Sequence, residues 1–269
     1  MAAPIIAAML YLLSPAKALD YETPTPPAVA KLATEPLFIE RSTELIDLMR
    51  ARSAAEVSAL MDLSDTLAAL NVARYAAWSP RFTPANSKPA VLAFDGDVYG
   101  GLRAPELGVA ALRWAQQHLV ILSGLHGALR PLDRLQPYRL EMGTRLANRH
   151  GPDLYAYWGD TVAEYLNARA AADATPVIVN LASTEYFHVA DRKRVLVPRV
   201  IDCVFEDWKN DRYKIISFFA KRARGLMARH AIDRRVATPA GLKTFAAEGY
   251  RYDAASSAPD RFVFRRRVG

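Results

Sequence analysis

The chain has 269 residues, of which 51% are hydrophobic and 23% charged, a balance that excludes disordered and fibrous classes and fits a soluble globular protein of one large or two small domains. Its net charge of +7 is unevenly placed: residues 1–190 carry 16 Lys and Arg against 19 Asp and Glu, whereas residues 191–269 carry 19 against 9. A basic last third points to a polyanionic partner, nucleic acid before an anionic membrane surface, with a merely solubilising basic region as the plainer alternative.

Residues 2–13 are uncharged and mostly apolar, and Ala16-Lys17-Ala18 imitates a small-x-small cleavage site. No basic segment precedes the run, a Lys sits inside the motif, and the length is short for a bilayer span, so neither a signal peptide nor an anchor is expected. Leu10 to Leu13 reads as a first buried strand, residues 1–8 as an N-terminal extension, and Met9 as a candidate natural start. The strand runs into Ser14-Pro15-Ala16-Lys17-Ala18-Leu19-Asp20-Tyr21, a first candidate site segment with Ser14 and Lys17 as pocket residues. A proline-rich loop follows, then an amphipathic helix within residues 35–52. Residues 54–78 read as helix, turn, helix, with Ser64 or Asp65 capping the second helix and Ser79-Pro80 stopping it. An ordinary helical hairpin explains this pattern. A helix-hairpin-helix that grips a DNA backbone through main-chain amides at Ser64, Asp65 and Thr66 explains it too, although the usual Gly-x-Gly turn is absent.

Ala90 to Phe94 reads as a strand ending in Asp95-Gly96-Asp97, whose carboxylates could hold a cation, serve as acid and base or simply cap a turn. A helix over residues 105–117 leads into the densest stretch of the chain, His118 to Gly143. There an apolar strand, Leu119 to Leu122, breaks at Ser123-Gly124 and releases His126, Arg130, Asp133, Arg134, Tyr138, Arg139 and Glu141 within 18 residues. A buried strand that ends in a glycine turn and polar residues is how α/β proteins build sites, though Arg and Asp side chains pairing across a connector would look similar. Residues 151–173 turn and become helical, with Tyr155, Tyr157, Trp158 and Asp160. Pro176 to Leu181 is another strand with a polar end: Asn180, Ser183, Glu185, Tyr186. Recurrence of strand-then-polar at Ser14, Asp95, Gly124 and Asn180 argues for one pocket at one sheet edge.

Strands follow at residues 195–205 and 213–218, joined by a hairpin-like segment at 207–211. The first holds Cys203, the single cysteine, which permits no intrachain disulfide, suits a reducing cytoplasm and reads as an inert packing residue. In the helix over residues 217–232, the 3.6-residue period sets Lys221, Arg222 and Arg229 within about 100° of one another, with Arg224 about 60° to the other side. The expectation is one core face and one cationic strip able to track phosphates. Two closing strands, 249–253 and 261–267, end in Arg265-Arg266-Arg267, either a frayed tail or a contact. No P-loop, dinucleotide fingerprint, zinc spacing or nucleophile elbow is present.

Several of these segments resemble, in order, the motifs of the YaaA family of bacterial peroxide-stress resistance proteins. Ser14 to Tyr21 is similar to the family's SPAKTLDY, Gly96 to Leu102 to GDVYxGL, Leu122 to Gly143 to LSGLYGxLRPLDxxxPYRLEMG, Trp158 to Asp160 to WGD, Asn180 to Tyr186 to NLASxEY, and Ile216 to Arg229 to ISFxAKxARGxMxR. Ala18 and His126 depart from the family's Thr and Tyr. The resemblance implies a single domain over 1–269 with a mixed α/β fold peculiar to the family: a central mixed sheet, flanking helices, a basic cleft and a helix-hairpin-helix at 54–78. It also implies binding of duplex or branched DNA in the response to hydrogen peroxide, with a place in DNA repair. Together the readings make DNA the expected partner of a cytoplasmic monomer, with Lys221, Arg222, Arg224, Arg229 and the hairpin as its contacts and with no cofactor, metal or membrane. The alternative is an enzyme acting on a nucleobase, nucleotide or other small anion, with Asp97, Arg139, Glu141, Asp160 and Glu185 as catalytic candidates and Ser14, Lys17, Gly124, His126, Arg130, Tyr138, Asn180 and Ser183 around them.

Overall fold

The structure, a computed structural model, describes residues 9–171, 175–191 and 195–267. The proposed extension at 1–8 and the end of the 151–173 reading therefore lie outside the described residues. In chain order the elements are β1 Met9–Leu13, β2 Ala18–Leu19, α1 Pro27–Ala30, α2 Ile39–Arg50, α3 Ala54–Met61, α4 Asp65–Ala77, β3 Lys88–Pro89, α5 Ala90–Ala93, β4 Phe94–Asp95, α6 Asp97–Leu102 and α7 Val109–His118. There follow β5 Leu119–Ser123, β6 Gly127–Leu129, β7 Arg134–Leu135, α8 Leu154–Trp158, α9 Thr161–Ala170, β8 Val177–Leu181 and α10 Thr184–Asp191. The chain closes with β9 Arg199–Lys209, β10 Arg212–Lys214, α11 Ser217–Arg234, α12 Pro239–Leu242, β11 Arg251–Tyr252 and β12 Arg261–Arg266.

The main sheet runs β11-β12-β9-β8-β1-β5-β6, with β10 paired to β9. Its middle, β12-β9-β8-β1-β5, is parallel, while β6, β10 and β11 join antiparallel. This is the mixed α/β architecture the sequence leads one to expect. Every residue of β1 and β5 is buried, as near-continuous apolar runs must be when both sheet faces are covered. Numbered by chain position, the five parallel strands lie in the order 2-1-3-4-5. That order has a topological switch point between β1 and β8, where connections leave in opposite directions and a crevice opens at the carboxyl ends.

Three expectations are corrected. Ala90 to Phe94 is not a strand of the sheet: Ala90–Ala93 is a fully buried helical turn, and only Phe94–Asp95 pairs, with β2. The hairpin after β9 is tighter than expected, turning at Asn210 and Asp211 in left-handed conformations, so Trp208 and Lys209 stay in the strand. Residues Ser217 and Phe218 open α11 instead of ending a strand.

Helix α11 is also not half core and half cationic. Its buried residues, Ala220, Ala223, Gly225, Leu226, Met227, Ala228, Ala231 and Ile232, run around most of its circumference, because α6, α7 and the sheet pack on it from different sides. The α6 contact depends on two glycines. A Cβ at Gly225 would lie 1.8 Å from the Val98 carbonyl oxygen, and one at Gly101 would lie 2.2 Å from that of Arg222. Only backbones without side chains approach that closely, and the crossing sets Asp97 beside the first turns of α11. The hairpin α3–α4 is an antiparallel pair packed on α2. Ser53 and Glu56 form a reciprocal capping box on α3, Ser64 caps α4, and Asp62 turns the chain at φ 51°.

Candidate functional site

The crevice at the β1/β8 switch point is a cavity of about 430 Å³. Its floor is the meeting of two strand ends. The Ser183 amide donates to Ser14 Oγ at 2.9 Å, and Ser14 Oγ lies 3.3 Å from Ser183 Oγ. Buried Tyr99 of α6 donates to the Ser14 carbonyl at 3.1 Å and fixes the turn after β1. Around this floor stand Lys17, Asp95, Asp97, Tyr138, Arg139, Glu141, Glu185, Tyr186, Lys221 and Arg224.

Each wall has a local cause. The segment 138–141 is drawn in by Gly124, where a Cβ would sit 2.2 Å from the Leu140 carbonyl oxygen. Tyr138 OH is 2.6 Å from Ser123 Oγ at the end of β5, and Tyr75 OH of α4 donates to the Arg139 carbonyl. Glu141 is then bound twice, by Lys17 Nζ at 3.0 Å and Arg139 Nη2 at 3.1 Å. Glu185 accepts the Gly143 amide at 2.9 Å. Burial holds the Tyr138 and Tyr186 hydroxyls protonated by raising their pKa well above the ordinary tyrosine value.

Of the residues singled out from sequence, the structure brings together Ser14, Lys17, Asp97, Tyr138, Arg139, Glu141, Ser183 and Glu185, and adds Lys221 and Arg224 from the basic helix to the same cavity. The others stand elsewhere. His126 is fully buried in the core, 2.9 Å from Ser42 Oγ, and burial lowers its pKa to about 3. Arg130 pairs with the buried Asp133 at 2.8 Å and donates to the Glu35 carbonyl, the connector role. Asn180 holds Asp202 at 2.8 Å. Asp160 stands at the start of α9. Gly124 acts by its missing side chain. Asp95 and Tyr186, both already singled out at strand ends in the sequence, complete the cavity.

The cationic strip on α11 is largely spent inside the protein. Arg222 Nε donates to both Glu248 oxygens at 2.9 and 3.0 Å, and Arg229 meets Asp233 at 2.9 Å and Glu106 at 3.4 Å. Hydrogen bonding to Glu248 holds Arg222 above its usual pKa and, reciprocally, Glu248 below its own. Glu248 is 26 residues away, and no local pattern announces it. The arginine-rich end is likewise structural: Arg265 joins Glu206 and Asp253, and Arg266 is buried against Asp207 at 2.6 Å. Ser64 Oγ accepts the Leu67 amide at 3.4 Å, and Asp65 and Thr66 are exposed at the first turn of α4. A shallower groove joins this hairpin to the cavity: residues 59–62 share it with Lys17, Arg139, Glu141 and Glu185.

Among the described residues no group of three or more His, Cys, Asp or Glu side chains could hold a metal ion, and no helix is long and apolar enough to cross a membrane. Cys203 is buried in β9 with its thiol pKa pushed up by burial.

Comparison with known proteins returns a family model described as "Peroxide stress protein YaaA", which matches residues 9–256. A protein of Leptothrix cholodnii is 65% identical over 258 residues, covering 96% of this chain and 98% of that one. Proteins of Paracidovorax citrulli and Polaromonas naphthalenivorans are each 63% identical, over 96% and 97% of this chain and 99% and 100% of their own. All three are named UPF0246 protein. With its β1 strand, its switch-point cavity and its last helices all inside the matched span, the chain belongs to the peroxide stress protein YaaA family, which gives it a role in the peroxide stress response.

Proposed function

We propose that the protein serves the peroxide stress response by holding DNA in the cleft between the α3–α4 hairpin and α11, in protection or repair of the damaged strand. What carries this reading is the shared groove. Lys17 and Arg139 belong both to the switch-point cavity and to the groove that runs to residues 59–62, while Lys221 and Arg224 enter the cavity from α11. Lys221 and Arg224 are without ion pairs among the described residues and suit a phosphate backbone, while Lys17 and Arg139 share Glu141. The hairpin carries Asp62 and Asp65, so its contribution comes from the main-chain amides at Ser64, Asp65 and Thr66 that begin α4, where N–H groups lack helical partners. Such contacts read the backbone and not the bases. They suit duplex and branched DNA alike, with little sequence preference.

Fluorescence anisotropy on duplex and four-way-junction DNA across a salt series tests this. Affinity should fall steeply with salt. Replacing Lys221 with Gln should weaken binding by a similar factor for every sequence and lower the salt slope by about 1, for one lost phosphate contact. Absent or salt-insensitive binding overturns the reading.

A further inference from the structure

The switch-point cavity contains cations that the fold leaves without partners. Arg224 is partly buried in its wall and, unlike Arg222 and Arg229 on the same helix, has no hydrogen bond, ion pair or ring contact among the described residues. Loss of solvent depresses its pKa, with no carboxylate acting in the other direction. A guanidinium drawn out of water without a counter-charge costs free energy, and an arriving anion removes that cost. Lys221, one turn earlier, is exposed, equally unpartnered and lines the same space. Two of the cavity's four carboxylates are already engaged: Glu141 by Lys17 and Arg139, and Glu185 by the Gly143 amide.

The cavity also contains the opposite chemistry. The Asp95 carboxylate lines it without a hydrogen-bond partner, and Asp97 follows two residues on. Two largely buried tyrosines, Tyr138 and Tyr186, complete the lining with aromatic surface and neutral hydroxyls. The ligand that satisfies all three has an anionic head, an amino-bearing edge and a flat ring. A volume of about 430 Å³ has room for one such unit.

We propose that the cavity binds a single nucleotide unit, its phosphate on Arg224 and Lys221 and the amino edge of its base on Asp95 and Asp97. Guanidinium groups bind phosphate through paired N–H donors, and carboxylates accept hydrogen bonds from exocyclic amines of adenine or cytosine. Aromatic faces add stacking. The unit arrives either as a free mononucleotide or as a nucleotide turned out of a DNA strand in the cleft. The second route rests on the DNA reading above; the first does not.

Titration calorimetry of the full chain with dAMP, dCMP, dTMP and inorganic phosphate, together with fluorescence of duplexes carrying 2-aminopurine, tests the assignment. The amino-bearing nucleotides should bind more tightly than dTMP, and phosphate alone more weakly than any nucleotide. Arg224→Gln should weaken binding roughly tenfold or more, as loss of a hydrogen-bonded charge does, and the exposed Lys221→Gln should weaken it less without risk to the fold. Asp95→Asn should narrow the preference for amino-bearing bases while leaving dTMP unchanged. Mononucleotide binding with silent 2-aminopurine identifies the free nucleotide as the source. A 2-aminopurine signal that Lys221→Gln and Arg224→Gln suppress identifies the strand. If DNA binds but neither arm responds, or if both substitutions leave nucleotide affinity intact, the assignment is overturned while the DNA reading stands. If mononucleotides bind and DNA does not, the reverse holds.

Discussion

Helix α11 supplies arginines to two different places. At Arg222 and Arg229 the charge is met by Glu248, Asp233 and Glu106, and these residues fasten the helix to α6 and to the turn before β11. At Arg224, with Lys221 beside it, the charge faces a cavity and meets no partner. The residues are neighbours in sequence and alike in chemistry. What separates them is whether a distant carboxylate folds back onto them. A basic run is therefore a poor measure of available positive charge, and the depression at the β1/β8 switch point is a better one.

The largest expected effect lies at the extreme of the paired class. Arg266 and Asp207 are both buried, 8% and 4% exposed, and Tyr250 OH also donates to Asp207 at 2.7 Å. Arg266→Ala strands a buried carboxylate and should cost about 3–5 kcal/mol in chemical denaturation. A cost below about 1 kcal/mol would show that this pair behaves like the surface ones. Gly225→Ala comes next. With a backbone oxygen 1.8 Å from the new methyl, α6 and α11 must separate, at roughly 1–3 kcal/mol. Because Asp97 and Arg224 face the cavity from those two helices, the same variant should lower nucleotide affinity, whereas Arg266→Ala should not under conditions in which it stays folded.

A pH series gives the third effect. His126 titrates near 6.5 when unfolded and near 3 when folded, so below about pH 6.5 the unfolded chain binds the extra proton. Stability should therefore fall as pH drops from 6.5 toward 3, and His126→Tyr should flatten that limb. Asp20 is held to about 2, first by the Thr23 amide, so its stabilisation is complete above about pH 4 and is lost only as pH falls from there toward 2, which leaves the limb between 6.5 and 4 to His126. The smallest effect concerns Arg222. Its pair with Glu248 is half-exposed, and Arg222→Gln should change stability by no more than about 1 kcal/mol while leaving DNA affinity close to wild type. If Arg222→Gln weakened DNA binding as much as Lys221→Gln, the division between paired and free cations would fail.

Much of the site was legible along the chain. Apolar runs ending in Ser14, Ser123-Gly124 and Asn180 to Tyr186 announced strand ends, and three of the four such runs are strands of the main sheet, because buried parallel strands must be apolar throughout. The fourth, Ala90 to Phe94, misled for the same reason: a short apolar run has no period of its own, and a buried helical turn is as apolar as a buried strand. His126 misled because a polar residue beside a glycine turn looks like chemistry until burial is known. Arg130 misled because its partner Asp133 was visible but its distance from the crevice was not.

By itself the sequence determined the layered α/β class, the buried strands, the cap of α4 and the family motifs, all set by local spacing and side-chain chemistry. Only the tertiary structure decided the 2-1-3-4-5 strand order that puts β1 beside β8, the glycine crossing that brings α6 to α11, and which cations remain unpaired. Those outcomes depend on contacts between residues tens to hundreds of positions apart, such as Ser14 with Ser183 and Arg222 with Glu248, and no local pattern encodes a partner at that distance.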